Sequence, residues 1–271
     1  GGLVFVAVLM SLVGPPAMAQ SLPSVQEMIE ARTDVWGEAA RRQPDGASYE
    51  FFKDLLPPLL YVNTDFRYYP FMLSAPLSPH KARLISNGSA VNPAANQKPM
   101  WFEFGTPIFF CVGKNAEPFG QMFPQLDGPR NLHGYLPVVQ MSYPHDGVTY
   151  NEEAFAPVAP DYAERGALMV RFTAAGPTAG RVWARIRSAG EWAAKDGTIR
   201  DEADNIIVAF SPAWQWRAND ASLLAPVSDG QPADLVVFTQ AGPPVEPITT
   251  DAYERHRTVC IERWNELIGR S

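Results

Sequence analysis

Residues 101–113, WFEFGTPIFFCVG, decide the fold. In an extended strand successive side chains point to opposite faces. Phe102 and Phe104 then share one direction and Ile108, Phe110 and Val112 continue a face, while Trp101, Phe109 and Cys111 need cover on the other. A strand apolar on both faces belongs between layers. The expectation is a mainly β protein in which this strand is central to a large antiparallel β-sandwich occupying residues 49–248.

The flanking sequence agrees with that reading. Proline makes up 26 of 271 residues, about twice the usual share, which suits short strands joined by rigid loops and opposes a helical bundle. Upstream, Leu84-Ile85-Ser86 runs into Asn87-Gly88, a pair that accepts the positive φ of a tight hairpin turn. Downstream, residues 114–133 lack periodicity and contain Pro118, Pro124, Gly128 and Pro129. A long loop inside a compact domain is often functional, and Asp127, Arg130, Asn131 and His133 form its polar cluster.

Further strands are expected over residues 135–143, 148–155, 167–174, 181–187, 206–210 and 235–240. Within 181–187, Val182, Ala184 and Ile186 face in, whereas Arg181, Trp183, Arg185 and Arg187 face out. That outer strip reads as arginines packed on an aromatic, with a binding strip as the alternative. The adjacent Glu152 and Glu153 must point to opposite faces and cannot form a catalytic carboxylate pair. Trp214 and Trp216 share one side of an extended segment, as core residues or as a sugar platform.

Towards the amino terminus, an apolar run from Leu3 to Val13 precedes Ala17-Met18-Ala19, a cleavage signature that marks residues 1–19 as an export signal cut before Gln20. Eleven residues are too few to span a bilayer. The mature product is therefore expected to be periplasmic or extracellular and free of the membrane. Ser24 and Glu27 form a capping box for a helix over residues 24–43, within a segment covering 20–48. The stretch that follows is dense in aromatics and prolines. In it Asp65, Arg67 and Tyr68 resemble groups that hold sugars, against the alternative that the aromatics fill core and Asp65 pairs with Arg67.

At the other end, residues 251–268 form an amphipathic helix capped by Thr250, with Tyr253, Cys260, Trp264, Leu267 and Ile268 along one face, in a segment covering 249–271. Such a helix needs a surface to lie on. It covers the sheet, or it begins a helical domain beyond this chain. Cys111 and Cys260 are the only cysteines. Export permits a disulfide between them, if the final helix packs within about 7 Å of the central strand, and burial as small hydrophobes is the alternative.

A formal net charge of −7 leaves no broad cationic surface for nucleic acid or anionic membranes. His80, His133, His145 and His256 are scattered without a second donor at metal-ligand spacing, so neither a zinc site nor any other cofactor is expected. No nucleophile elbow, phosphate loop or dinucleotide fingerprint occurs. Glycoside hydrolysis needs only two spatially paired carboxylates, which leave no local signature.

The order of export signal, short helix, long β region and terminal helix HRTVCIERWNELI, with RLISNGSAV, WFEFGTPIFFCVG and DGVTYNEEAFAPV, resembles the amino-terminal β-supersandwich of bacterial six-hairpin glycosidases, the glycogen-debranching, glucoamylase and rhamnosidase-like group. The resemblance implies that an (α/α)6 barrel follows and carries the general acid and base. No catalytic residue then falls on this chain, and its partners are carbohydrate and the missing barrel. The expected function is the non-catalytic part of an exported glycoside hydrolase, with a stand-alone secreted carbohydrate-binding module as the alternative. A module keeps its last helix docked on its own sheet, whereas a fragment leaves the helix partly bare.

Overall fold

The computed structural model describes residues 70–93, 105–188, 190–243 and 245–269. They lie within one compact unit, residues 66–271. The export signal, the helix expected over 24–43 and the candidate residues Asp65, Arg67 and Tyr68 fall outside the described residues.

The described chain is mainly β. Its strands, in order, are β1 (Pro70–Leu73), β2 (Ala82–Ile85), β3 (Ala90–Val91), β4 (Ile108–Val112), β5 (Glu117–Pro118), β6 (Asp127–Leu132), β7 (Leu136–His145), β8 (Val148–Phe155), β9 (Ala167–Ala175), β10 (Gly180–Ile186), β11 (Ala193–Lys195), β12 (Thr198–Arg200), β13 (Ile206–Phe210), β14 (Gln215–Arg217), β15 (Ser222–Val227) and β16 (Ala233–Gly242). A single-turn helix, α1 (Pro160–Ala163), links β8 to β9, and a long helix, α2 (Thr250–Ile268), follows β16. One sheet runs β1-β2-β3-β4-β10-β15-β14 with β5 added beside β4. The other runs β11-β12-β13-β16-β9-β8-β7-β6. Every pairing between these strands is antiparallel.

The alternation of β4 explains its place. Ile108, Phe110 and Val112 enter a core shared with Val139, Phe172 and Leu235 of the other sheet, and Phe110 meets Phe172 edge-on at 5.0 Å between ring centroids. Such an aromatic pair contributes about 0.5–1.5 kcal/mol beyond its buried area. On the opposite side of β4, Cys111 is also buried and Phe109 half-buried, as expected for a strand apolar on both faces. Trp214 is buried in the shared core, its indole N–H donating to the Asp234 carbonyl at 3.0 Å, and Trp216 packs against it. The tryptophan pair is core, not a sugar platform.

Two local expectations need correction. The stretch 114–133 is not one long loop, because it contains β5, a 3-10 turn at Phe123–Gln125 and the edge strand β6. Strand β6 escapes periodicity because it is a sheet edge with register shifts against β7 and with Pro129 in its run; prolines are tolerated at edges, where no ladder donor is required. The β2–β3 connection turns earlier than expected. The amide of Gly88 donates to the carbonyl of Ile85, so Ser86 and Asn87 are the central residues and Gly88 alone takes the positive φ of 76°.

The outer face of the second sheet carries its own apolar cluster. Val138, Phe155, Met169, Val236 and Phe238 pack there with Ile248, Tyr253 and Cys260, so α2 lies on this sheet. The hydroxyl of Thr249 caps α2 by accepting from the amide of Ala252 at 3.0 Å, one residue earlier than expected. Cys111 and Cys260 are both free and buried. One sits in the first sheet and the other under α2 on the far side of the second, so the fold gives the disulfide no geometry. Burial pushes both thiols up, Cys260 to about 12.

Candidate functional site

Along the outer face of the second sheet, polarity changes with position on the strands. The end beneath α2 is apolar. The other end is built from side chains that alternate with core residues on each strand: Gln140 and Ser142 on β7, Asn151 and Glu153 on β8, Arg171 and Thr173 on β9. Antiparallel register stacks these into two rows across the sheet. One row is Asp127, Ser142, Asn151, Thr173, and the other is Arg130, Gln140, Glu153, Arg171, Asp234. Together with Glu254 and Arg257 of α2, all of these except the buried Asp234 line a groove of about 550 Å³.

The first row is joined by side-chain hydrogen bonds. Ser142 donates to the Asn151 amide oxygen at 2.6 Å, and the Asn151 amide donates to Thr173 at 3.5 Å. The second row is charged and tied to the helix. Arg257 grips Glu153 through two bonds of 2.7 and 3.1 Å, Gln140 donates to the same carboxylate at 2.8 Å, and the Tyr253 hydroxyl donates to it at 3.2 Å. Burial alone would raise the Glu153 pKa, but these donors outweigh it and hold the carboxyl below its usual range. Glu153 is therefore a fixed anion at neutral pH rather than a proton donor.

Arg171 is held in the same way. It donates to both oxygens of the buried Asp234, at 2.6 and 3.0 Å, and to Glu254, with its guanidinium 3.8 Å from the Tyr253 ring centroid. Burial opposes its charge, and the bonds to Asp234 overcome that and raise its pKa. Among the described residues, no three histidine, cysteine, aspartate or glutamate side chains gather as metal ligands would. The carboxylates of the groove, Asp127, Glu153 and Glu254, are engaged by arginines, which fixes their positions.

Of the residues singled out in the sequence, Asp127 and Arg130 reach this groove, on β6 at its rim, where Arg130 donates to Asp127. His133 does not. It is exposed in the turn between β6 and β7, with a φ of 55°. Asn131, opposite Val139 in the register, also stays outside the groove lining. Glu152 and Glu153 diverge as strand geometry demands: Glu153 faces the groove, and Glu152 is buried with neither carboxylate oxygen hydrogen-bonded. Sequence inspection missed Ser142, Asn151, Thr173, Gln140, Arg171, Glu254 and Arg257. Alternation along each strand placed most of them outward, but the cross-strand register that gathers them is not written in any one strand.

The chain matches no protein-family model and no curated protein sequence.

Proposed function

We propose that the chain is an exported, non-catalytic carbohydrate-binding β-sandwich, and that the groove beside α2 is its saccharide site. The observation that carries this reading is the floor of two polar rows. Hydroxyl, amide, carboxylate and guanidinium groups alternate there on a rigid sheet, so a polyhydroxylated ligand meets donors and acceptors already oriented by their neighbours. The docking of Tyr253 and Cys260 on the second sheet supports the stand-alone module over the fragment. The reading as a supersandwich preceding a catalytic helical barrel keeps one observation in its favour. Val259 and Ile268 on α2 are exposed, at 48% and 43%, apolar positions that a following helical domain would cover.

Titration calorimetry of the parent chain and its variants against a panel of neutral oligosaccharides tests the groove. Asn151→Ala and Arg130→Ala are expected to weaken the binding glycan about tenfold, or about 1.4 kcal/mol, while His133→Ala leaves it unchanged. Undiminished affinity in Asn151→Ala would remove the groove from consideration.

A further inference from the structure

The outer face of the first sheet collects positive charge in a chain whose formal net charge is −7. Alternation along β10 turns Arg181, Trp183 and Arg185 outward, Arg187 follows directly, and Arg217 on β14 shares with Arg185 the register partner Ser222 of β15. The guanidinium carbons of Arg185 and Arg217 lie 5.3 and 5.2 Å from the same Trp183 ring, and that of Arg187 lies 5.4 Å from Phe109. Two like charges are thus held over one indole. Their only carboxylate neighbour among the described residues is Asp220, 3.7 Å from Arg217 and itself accepting from Ser222 at 2.6 Å.

The guanidinium group of Arg165, in the other sheet's outer cluster, offers a contrast. It donates to three backbone carbonyls. Arg185 differs: its Nε is buried and has no hydrogen-bond acceptor. It lines an open cavity of about 610 Å³ with Ile186, Arg187, Ser188 and Asp220. An unpaired buried donor on a cation is costly, and an oxyanion entering this cavity would supply the acceptor and relieve the repulsion between neighbouring guanidinium groups.

We propose that this strip binds an extended acidic polysaccharide through its uronate carboxylates or sulfate esters. Outward positions on a strand recur about every 7 Å, so Arg181 to Arg187 span roughly 20 Å along one line. A linear chain carrying repeated anions matches that layout. Nucleic acid fits less well, because Trp183 is buried and Phe109 half-buried beneath the guanidinium groups, which leaves no exposed ring for bases to stack on. This site is separate from the groove on the second sheet and does not depend on it.

The test uses the full chain and calorimetric titration with an oligogalacturonate, a heparin-derived oligosaccharide, a poly-glutamate peptide and an oligothymidylate. At least one acidic saccharide is expected to bind, more weakly as salt is raised. The oligogalacturonate and the sulfated oligosaccharide arms identify carboxylate or sulfate as the anion. The double variant Arg185→Gln/Arg187→Gln should lose at least about tenfold in affinity with an unchanged thermal midpoint, while His133→Ala, exposed and outside both sites, loses none. Should that double variant misfold, Arg181→Gln/Arg217→Gln, both exposed, carries the same expectation. The proposal is overturned if neither acidic saccharide binds, if binding survives in the folded arginine variants, or if the peptide or the oligothymidylate binds as tightly as the saccharides.

Discussion

The two sheets present outer faces of opposite electrostatic character. On the second sheet each outward arginine meets an acid: Arg171 meets Asp234 and Glu254, and Arg257, arriving on α2, meets Glu153. On the first sheet Arg181, Arg185 and Arg187 meet no acid among the described residues and rest partly on aromatic rings. Strand alternation places charge outward in both cases. What differs is the neighbour, since α2 delivers carboxylates and guanidinium groups to one face only. Matched charges of this kind fix a helix on a sheet and leave the groove's neutral hydroxyl and amide groups to a neutral ligand, whereas unmatched ones remain available to an anion.

The largest expected effect breaks the matched face. Arg171→Ala leaves the Asp234 side chain, 0% exposed, as a buried charge without its partner. Removing one member of such a pair typically costs about 3–5 kcal/mol, mostly from the stranded ion. Urea unfolding followed by circular dichroism measures it. A loss below about 1 kcal/mol would show that the pair behaves as an exposed one and that the two faces do not differ as described.

A second effect lies between the faces, on the neighbouring strand β8. Glu152 points into the core beside Phe119 and Gly88, so closely that any β-carbon at Gly88 would run into its carboxyl group. Burial pushes its pKa well above the usual carboxylate value. Because the folded-state pKa is the higher, its contribution is fully present below the unfolded pKa and is lost progressively as pH rises towards the folded one. Glu152→Met removes a buried group without a hydrogen-bond partner and should stabilise the fold at neutral pH by about 1–3 kcal/mol. The gain should shrink as pH falls to the ordinary glutamate range near 4.5. Denaturant midpoints for the two proteins across that interval supply the measurement, and a gain that stays constant with pH would mean that Glu152 is not the titrating group.

How far the sequence disclosed this arrangement depends on the range of the signal. Strand β4 and the alternation on β10 are local, and the layered position of the first and the arginine face of the second both follow from period-two patterning. Helix α2 is legible from its apolar stripe, although its cap is Thr249 and not Thr250. Its docking surface is not legible, because the apolar end of the second sheet is assembled from Val138, Phe155, Met169 and Val236 on four separate strands. The groove failed to show for the same reason. Asp127 and Arg130 were noticed as a cluster in what read as a loop, and β6 hid there because edge position, Pro129 and shifted register erase alternation. The fate of Trp214 turned on a partner distant in sequence, the Asp234 carbonyl.

The smallest expected effect completes the contrast and is argued from the same residue type. Arg181 is exposed on β10, and its side chain has no ion pair among the described residues, although its backbone amide donates to the Tyr150 hydroxyl at 3.3 Å and its carbonyl accepts from Gly113 at 2.9 Å. Arg181→Gln keeps those backbone bonds and most of the side chain's apolar stem. Exposed substitutions of this kind usually stay within about 0.5 kcal/mol, so its unfolding curve should overlay that of the parent where Arg171→Ala departs from it. A comparable destabilisation by Arg181→Gln would mean that the first sheet's arginines also hold the fold together, and their availability to an outside anion would lose its physical basis.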